Sequence, residues 1–221
     1  APLQYKEFKF DQAIHVVGPE QAGYFDVVFK ALELIDPVFE GREKHLSYGF
    51  VQLKNGKMSS RLGNIVRGEW LLDEARDRIT KSFPDMDKKT AEVVAVAAVK
   101  YSMLKVGRTS EIQFSFDESI SLEGNSGPYL QYTYVRTQSV IKKAQLTTDK
   151  GQLTFAGKTL GEGSNLEKEE EDIVRILIRF PEIVSEAAES FSPNLVCTYL
   201  FELAQAFNLF YQKHPILNAK D

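Results

Sequence analysis

The apolar pattern changes period near Gly127, and that change restricts the chain to two architectures joined in order. Upstream, Ile14-His15-Val16-Val17 is short and β-branched and stops at Gly18-Pro19-Glu20, after which Phe25, Val28, Phe29 and Leu32 recur at helical spacing. Tyr48-Gly49-Phe50-Val51 continues through Leu53 into Lys54-Asn55-Gly56-Lys57, where Asn-Gly favours the positive φ angles of a tight turn. Trp70, Leu71, Ala75 and Ile79 predict a helix, an Ala/Val-rich helix is expected from about Ala91 to Lys105, and Ile112-Gln113-Phe114-Ser115-Phe116 alternates like a short strand. Strand, helix, strand with a loop beyond a strand end is the order found at the carboxyl edge of a doubly wound sheet.

Downstream the period is helical throughout. A helix is expected from Gly127-Pro128, capped by Ser126 or Gly127, to about Gln145. Residues 147 to 165 read as a Gly/Thr/Lys-rich loop. One amphipathic helix should carry Ile173, Ile176, Leu177, Phe180, Ile183, Val184 and Ala187, and the next, capped by Ser192-Pro193, should carry Val196, Tyr199, Leu200, Leu203, Phe207 and Phe210. Short connections favour antiparallel neighbours and hence a helical bundle.

Composition narrows the function classes. No window approaches ~18 consecutive apolar residues, and Ala-Pro-Leu-Gln-Tyr-Lys lacks the order of a secretory signal, so neither a membrane role nor export is expected. Cys197 is the only cysteine and the three histidines stand far apart, which leaves no disulfide framework or Cys/His zinc site and fits a cytoplasmic setting. Cys197 reads as a small buried hydrophobe, and His15 as a core histidine. A net charge of -4 argues against nucleic-acid binding by bulk electrostatics. Locally, however, residues 42 to 67 hold six Lys/Arg against one acid, Glu43. The acidic run from Glu162 to Asp172 reads as a solvated face.

Inside the basic stretch lies Lys57-Met58-Ser59-Ser60-Arg61-Leu62-Gly63-Asn64. It offers a polyphosphate a lysine charge, serine hydroxyls, backbone N–H donors and a glycine that permits close approach. On the first helix after the period change, Tyr129, Tyr132, Arg136, Val140 and Lys143 follow spacings that place two rings and two cations on one face. Such a face can stack unpaired bases and neutralise phosphates. The same spacing also suits packing of both rings into the bundle with the cations solvated. Leu130, Tyr134 and Ile141 can supply the face opposite Tyr129 and Tyr132, directed to the core.

The octapeptide resembles the Lys-Met-Ser loop of class I aminoacyl-tRNA synthetases. Gly124-Asn125-Ser126-Gly127-Pro128-Tyr129-Leu130-Gln131-Tyr132-Thr133-Tyr134-Val135-Arg136 narrows this, because it resembles the helix that opens the anticodon-binding domain of arginyl-tRNA synthetases. Phe180-Pro181-Glu182-Ile183-Val184 and Tyr199 to Tyr211 look like that domain's next helices, and His15 to Gln21 is similar to the family's strand and Gln-containing turn. The resemblance implies an α/β plus all-α chain: the C-terminal remnant of a Rossmann-like parallel sheet (1–66, with the loop), a connecting helical region (67–123) and a helical anticodon-binding bundle (124–221), C-terminally incomplete.

It further implies ATP binding by Lys57, Met58, Ser59, Ser60 and Arg61, with Lys57, Ser59 and Ser60 acting in catalysis. Gln21 is the arginine-binding candidate, with an ordinary surface-turn residue as the alternative. Tyr129, Tyr132, Arg136 and Tyr211 would bind tRNA, although the Tyr211 spacing also suits packing. ATP is expected as its Mg²⁺ complex, with L-arginine and arginine tRNA as partners, no permanent cofactor, no metal site and a monomeric parent. The pattern departs from the family at Ser60, where many class I loops have a second lysine, and at Tyr24, where the family usually has histidine. His15, His45 and His214 fit no His-x-Gly-His, the ATP-binding motif of the class. The expectation is thus a fragment of arginine-tRNA ligase, inactive alone. A stand-alone tRNA-binding module and a helical interaction domain remain as alternatives.

Overall fold

The computed structural model describes residues 1–54, 67–146, 166–214 and 216. Helix α1 (Pro2–Phe8) leads to strand β1 (Ala13–Val16), helix α2 (Ala22–Ile35) and strand β2 (Glu43–Leu46). β1 and β2 pair in parallel, with His15 opposite His45. The two strands and α2 form a βαβ unit, in which Phe25 and Phe29 of α2 cover one sheet face. The Phe25 ring stacks on His45 at 4.7 Å, and both phenylalanines lie within 5.4 Å of His15.

β2 lies ahead of the apolar run that signals a strand, because Glu43-Lys44-His45 is polar. Glu43 and His45 share the sheet face of His15, under α2. Glu43 is buried, and its Oε2 meets His15 Nε2 at 2.7 Å. A buried carboxylate needs such a partner, and α2 seals the pair from above. On the other sheet face Ile14 and Val16 remain 43% and 63% exposed.

Strand β3 (Val51–Leu53) pairs in parallel with β4 (Ile112–Phe114). Between them run α3 (Gly68–Ser82) and α4 (Lys88–Leu104), the latter capped by Asp87, whose carboxylate accepts from the Lys89 and Thr90 N–H groups. Leu71, Ala75 and Ile79 of α3, Ala91, Ala95 and Val99 of α4, and Phe114 form the core between these helices and the strands. Every third or fourth position of α4 on this side is alanine or valine, so the two backbones come close. A short helix α5 (Phe116–Ser119) follows, capped by the Ser115 hydroxyl.

The bundle comprises α6 (Gly127–Leu146), α7 (Lys168–Ile178), α8 (Phe180–Glu189) and α9 (Pro193–Lys213). Ser126 is the α6 cap: its Oγ accepts from the Tyr129 N–H at 3.1 Å. α6 begins against α4, where a Cβ added to Gly127 would stand 2.4 Å from the Ala97 carbonyl oxygen. α4 also meets α9 through the Tyr101 hydroxyl, which donates to the Cys197 carbonyl at 3.0 Å; burial raises this phenol above its ordinary pKa. Cys197 itself is buried, as expected.

Two features depart from the periodicity. The single helix expected from Ile173 to Ala187 is broken at Arg179, because Pro181 has no N–H to donate and suits only a first turn. The α8–α9 turn places Phe191 at φ 51°. Ser192 N–H reaches the Ala187 carbonyl at 2.8 Å and Phe191 N–H reaches that of Ala188 at 3.3 Å, a Schellman closure with phenylalanine where glycine is usual. The Phe191 ring lies 4.1 Å from the Lys44 ammonium of β2, so this turn touches the sheet.

α7 and α9 are joined at the far end by Glu169, which accepts from Lys213 and from His214 Nε2 (3.2 Å). Lys213 above all, then His214, lowers the Glu169 carboxyl from 4.5 to about 2. A depressed carboxylate contributes stability that is present above its ordinary value and is lost as pH falls through the depressed one. Urea unfolding midpoints should therefore decline between about pH 4.5 and 2, and Glu169→Gln should remove part of that decline. An unchanged acid limb in the variant would contradict the clasp. Gly127→Ala should cost about 1–3 kcal/mol through overpacking against α4. Gly23→Ala in α2, where an added methyl meets nothing within 4 Å, should stabilise by about 0.5 kcal/mol; equal effects at both glycines would refute the close approach.

Candidate nucleic-acid interface and active-site edge

The carboxyl ends of parallel strands are where an α/β sheet binds ligands. Gln21 stands there, at the end of the 3-10 turn Pro19–Gln21 that joins β1 to α2, with its side chain exposed. Tyr24, one turn on, is also exposed, with its ring edge-on to Phe25. β3 leads directly toward residues 55–66. Lys57, Met58, Ser59, Ser60 and Arg61 therefore lie outside the described residues, and their candidacy stands on sequence.

The basic stretch around that loop divides on inspection. Arg42 donates to the Val38 and Phe10 carbonyls at 2.7 and 2.9 Å, and its guanidinium stands 5.5 Å from the Tyr5 ring centroid. Lys44 rests on Phe191, and Lys54 pairs with Glu118 at 2.5 Å. Three cations of the stretch thus already have partners within the fold, Lys54 through an exposed ion pair. The local excess of charge is a weaker guide to phosphate binding than the sequence count implies.

On the bundle, α6 and α9 build a second site between them. α6 turns Tyr132, Arg136, Val140 and Lys143 toward Tyr211 of α9, and these residues border an open groove of about 250 Å³. The Arg136 guanidinium carbon lies 4.6 Å from the Tyr132 ring centroid and 4.9 Å from that of Tyr211, so the cation is held between two aromatic faces. One of its N–H groups also donates to the Tyr132 hydroxyl. Tyr132 and Tyr211 stay 46% and 40% exposed. This arrangement can offer an unpaired base two ring faces and offer a phosphate two cations.

Tyr129 does not join that exposed face. Its ring turns inward, edge-on to Phe201 at 5.7 Å, and its hydroxyl accepts from Asn208 Nδ2 at 3.0 Å. Asn208, buried on α9, also donates to Thr133 Oγ1 (2.9 Å) and accepts from Arg136 Nη1 (2.6 Å). The sequence signals for Asn208 are its position one turn before Tyr211 and its polar character within an apolar helix, and neither distinguishes it from a solvated residue. The expected core-directed face of α6 is also corrected. Tyr134 is 63% exposed and Ile141 is exposed. Leu130 and Tyr134 line an open apolar groove of about 560 Å³ with α7 and α9, because α7 does not close over this side of α6.

Among the described residues no group of three or more His, Cys, Asp or Glu is placed to hold a metal ion, and no helix is long and apolar enough to cross a membrane.

Comparison with known proteins gives this geometry its context. Residues 1–116 match the family described as tRNA synthetases class I (R), catalytic domain, and residues 130–221 match the DALR anticodon binding domain. The chain is 33% identical over 227 residues to the arginine–tRNA ligase of Clostridium perfringens, which covers all of this chain and 39% of that protein. It is 36% identical to the enzyme of the same name from Treponema denticola, covering 99% of this chain and 38% of that one. Among solved structures, Thermus thermophilus arginyl-tRNA synthetase superposes with a TM-score of 0.80 at 30% identity, over 96% of this chain and 36% of that one. The Plasmodium falciparum structure shares the fold at a TM-score of 0.77 and 23% identity, over 98% of this chain and 37% of that one. The chain thus spans under two fifths of the length of these relatives. With one family description covering its sheet-bearing half and the other its bundle, the chain belongs to the arginyl-tRNA synthetase family, of which it carries the C-terminal part of the class I catalytic domain and the anticodon-binding helices.

Proposed function

We propose that this chain is the part of an arginine-tRNA ligase that grips the ATP phosphates with one end and the anticodon loop of arginine tRNA with the other. The observation that carries the reading is the Tyr132–Arg136–Tyr211 clamp, exposed on the helices that match an anticodon-binding domain. Units 1–66, 67–123 and 124–221 would serve as catalytic edge, connector and reader. In the complete enzyme the arginine carboxylate attacks the α-phosphorus of ATP, supplied as its Mg²⁺ complex. Pyrophosphate leaves, and the arginyl group then passes from the adenylate to the terminal ribose of tRNA.

Lys57 and the Ser59 and Ser60 hydroxyls, with Met58 and Arg61 beside them, would neutralise charge developing on the phosphates, a role of position and electrostatics without a covalent nucleophile. Gln21, exposed beyond the carboxyl end of β1, would contact the arginine substrate. Tyr132, Arg136 and Tyr211 would meet unstacked bases, while Tyr129 supports them from within. The exposed Ile14 and Val16 mark a sheet face that the remainder of a class I catalytic domain would cover, in keeping with a chain inactive alone. A cytoplasmic setting and a monomeric parent belong to the same reading.

Binding of the chain to arginine-accepting and non-cognate tRNA across a salt series tests this: cognate preference at every salt concentration is expected, and equal affinities and slopes would overturn the reader assignment. Tyr132→Ala should lose about 1–3 kcal/mol of tRNA binding, the contribution of one stacked base, and an unchanged dissociation constant would count against the clamp. Lys57→Ala in the full-length enzyme should slow arginine activation while leaving tRNA affinity nearly intact. Parallel loss of both would contradict its assignment to the phosphates.

A further inference from the structure

We propose that Asn208 is a positioning residue for tRNA recognition: its buried amide sets the Arg136 guanidinium between Tyr132 and Tyr211 before an anticodon-loop nucleotide arrives. The inference rests on the reading of this groove as a tRNA site, and it adds a residue that never touches the ligand.

The argument turns on which way the amide faces. The Thr133 hydroxyl donates its single proton to the Tyr129 carbonyl at 3.0 Å. Toward Asn208 it can therefore act only as an acceptor. That requires the amide nitrogen to face Thr133 Oγ1, where it stands at 2.9 Å, and the same nitrogen reaches the Tyr129 hydroxyl at 3.0 Å. With both N–H groups used on that side, the amide oxygen points to Arg136 Nη1 at 2.6 Å. Asn208 is only 8% exposed, so water does not compete freely for these bonds. The orientation follows from the network rather than from an arbitrary choice of rotamer.

The consequence falls on Arg136. A long side chain at a half-open groove normally loses rotamer freedom on binding. Here one guanidinium nitrogen is anchored to a buried acceptor, another to the Tyr132 hydroxyl, and the guanidinium carbon lies within 4.9 Å of both ring centroids. The ordering is complete before the ligand binds. The chain runs from a backbone carbonyl through Thr133, Asn208 and Arg136 to the groove, crossing from α6 to α9 and back.

A double-mutant cycle tests this on the 221-residue chain, with an arginine-accepting tRNA transcript and the same transcript carrying an altered anticodon loop. Asn208→Ser should weaken binding of the first roughly fivefold or more, and the same substitution in an Arg136→Ala background should change it less than twofold, the signature of two residues acting as one. Thr133→Val, which leaves one amide N–H without its acceptor and so loosens Asn208 without touching Arg136, should show a smaller loss that also vanishes in that background, and it carries the test if thermal melts show Asn208→Ser unfolded. Equal losses in both backgrounds, with Arg136→Ala itself costly, would overturn the positioning role alone. No effect of Arg136→Ala, or no discrimination between the two transcripts, would overturn the tRNA reading and the proposal with it. Without RNA, separate and slowly exchanging Arg136 Nη resonances are expected in the unsubstituted chain and merged ones in Asn208→Ser; merged resonances in the unsubstituted chain would also overturn it.

Discussion

The approach of α6 to α4 at Gly127 fixes where everything downstream can stand. α4 is lined on one side by Ala91 and Ala95 against α3, and on the other it receives Ser126, Gly127 and Pro128, all buried, at the Ala97–Ala98 backbone. Small residues allow backbones to meet, and close packing of this kind tolerates no added volume. The first turn of α6 is thus pinned, and the direction of its twenty residues decides that Tyr132 and Arg136 emerge beside α9. The Ser-Gly-Pro at the head of the signature helix serves docking, while Tyr132 and Arg136 further along reach the surface groove. One short motif carries two separable physical tasks.

The sequence disclosed the two architectures, the parallel order of strand and helix, and most helices within a few residues. It did so because the apolar period changes cleanly and because Ser126-Gly127-Pro128 marks the start of α6; the caps Asp87 and Ser115 came only with the structure, the latter having read as part of a strand. β2 escaped notice because Glu43 is buried beside His15, and pattern reading assigns charged residues to the surface. Pro181 was in plain view, yet the helical period runs through it unchanged, so only the missing N–H reveals the break. The basic stretch misled in a different way. Counting charge does not show that Arg42, Lys44 and Lys54 are already engaged by carbonyls, a ring and a carboxylate.

At the groove, the identity of the helix face was legible and its fine division was not. Tyr129 and Tyr132 lie three residues apart, about 60° around the axis, so a single projection groups them. Whether each ring faces solvent depends on where α9 crosses, which is a tertiary fact. Asn208 was missed for the same reason: its three partners come from a helix about seventy residues earlier in the chain. Interior polar networks are specified by geometry among distant residues, and no local spacing announces them. The octapeptide from Lys57 to Asn64 is the opposite case, since its chemistry is written in consecutive side chains.

The turn at Phe191 bears on how the sheet and the bundle move against each other. A phenylalanine at φ 51° holds a left-handed backbone at a cost of about 1–2 kcal/mol, and its ring contact with Lys44 returns about 0.5–2 kcal/mol depending on solvation. The two terms nearly cancel. The left-handed backbone is held within the bundle by the bonds to Ala187 and Ala188, so tilting the bundle away from β2 would lose the ring contact alone. A single cation–ring contact is a weak restraint, so this junction costs little to open.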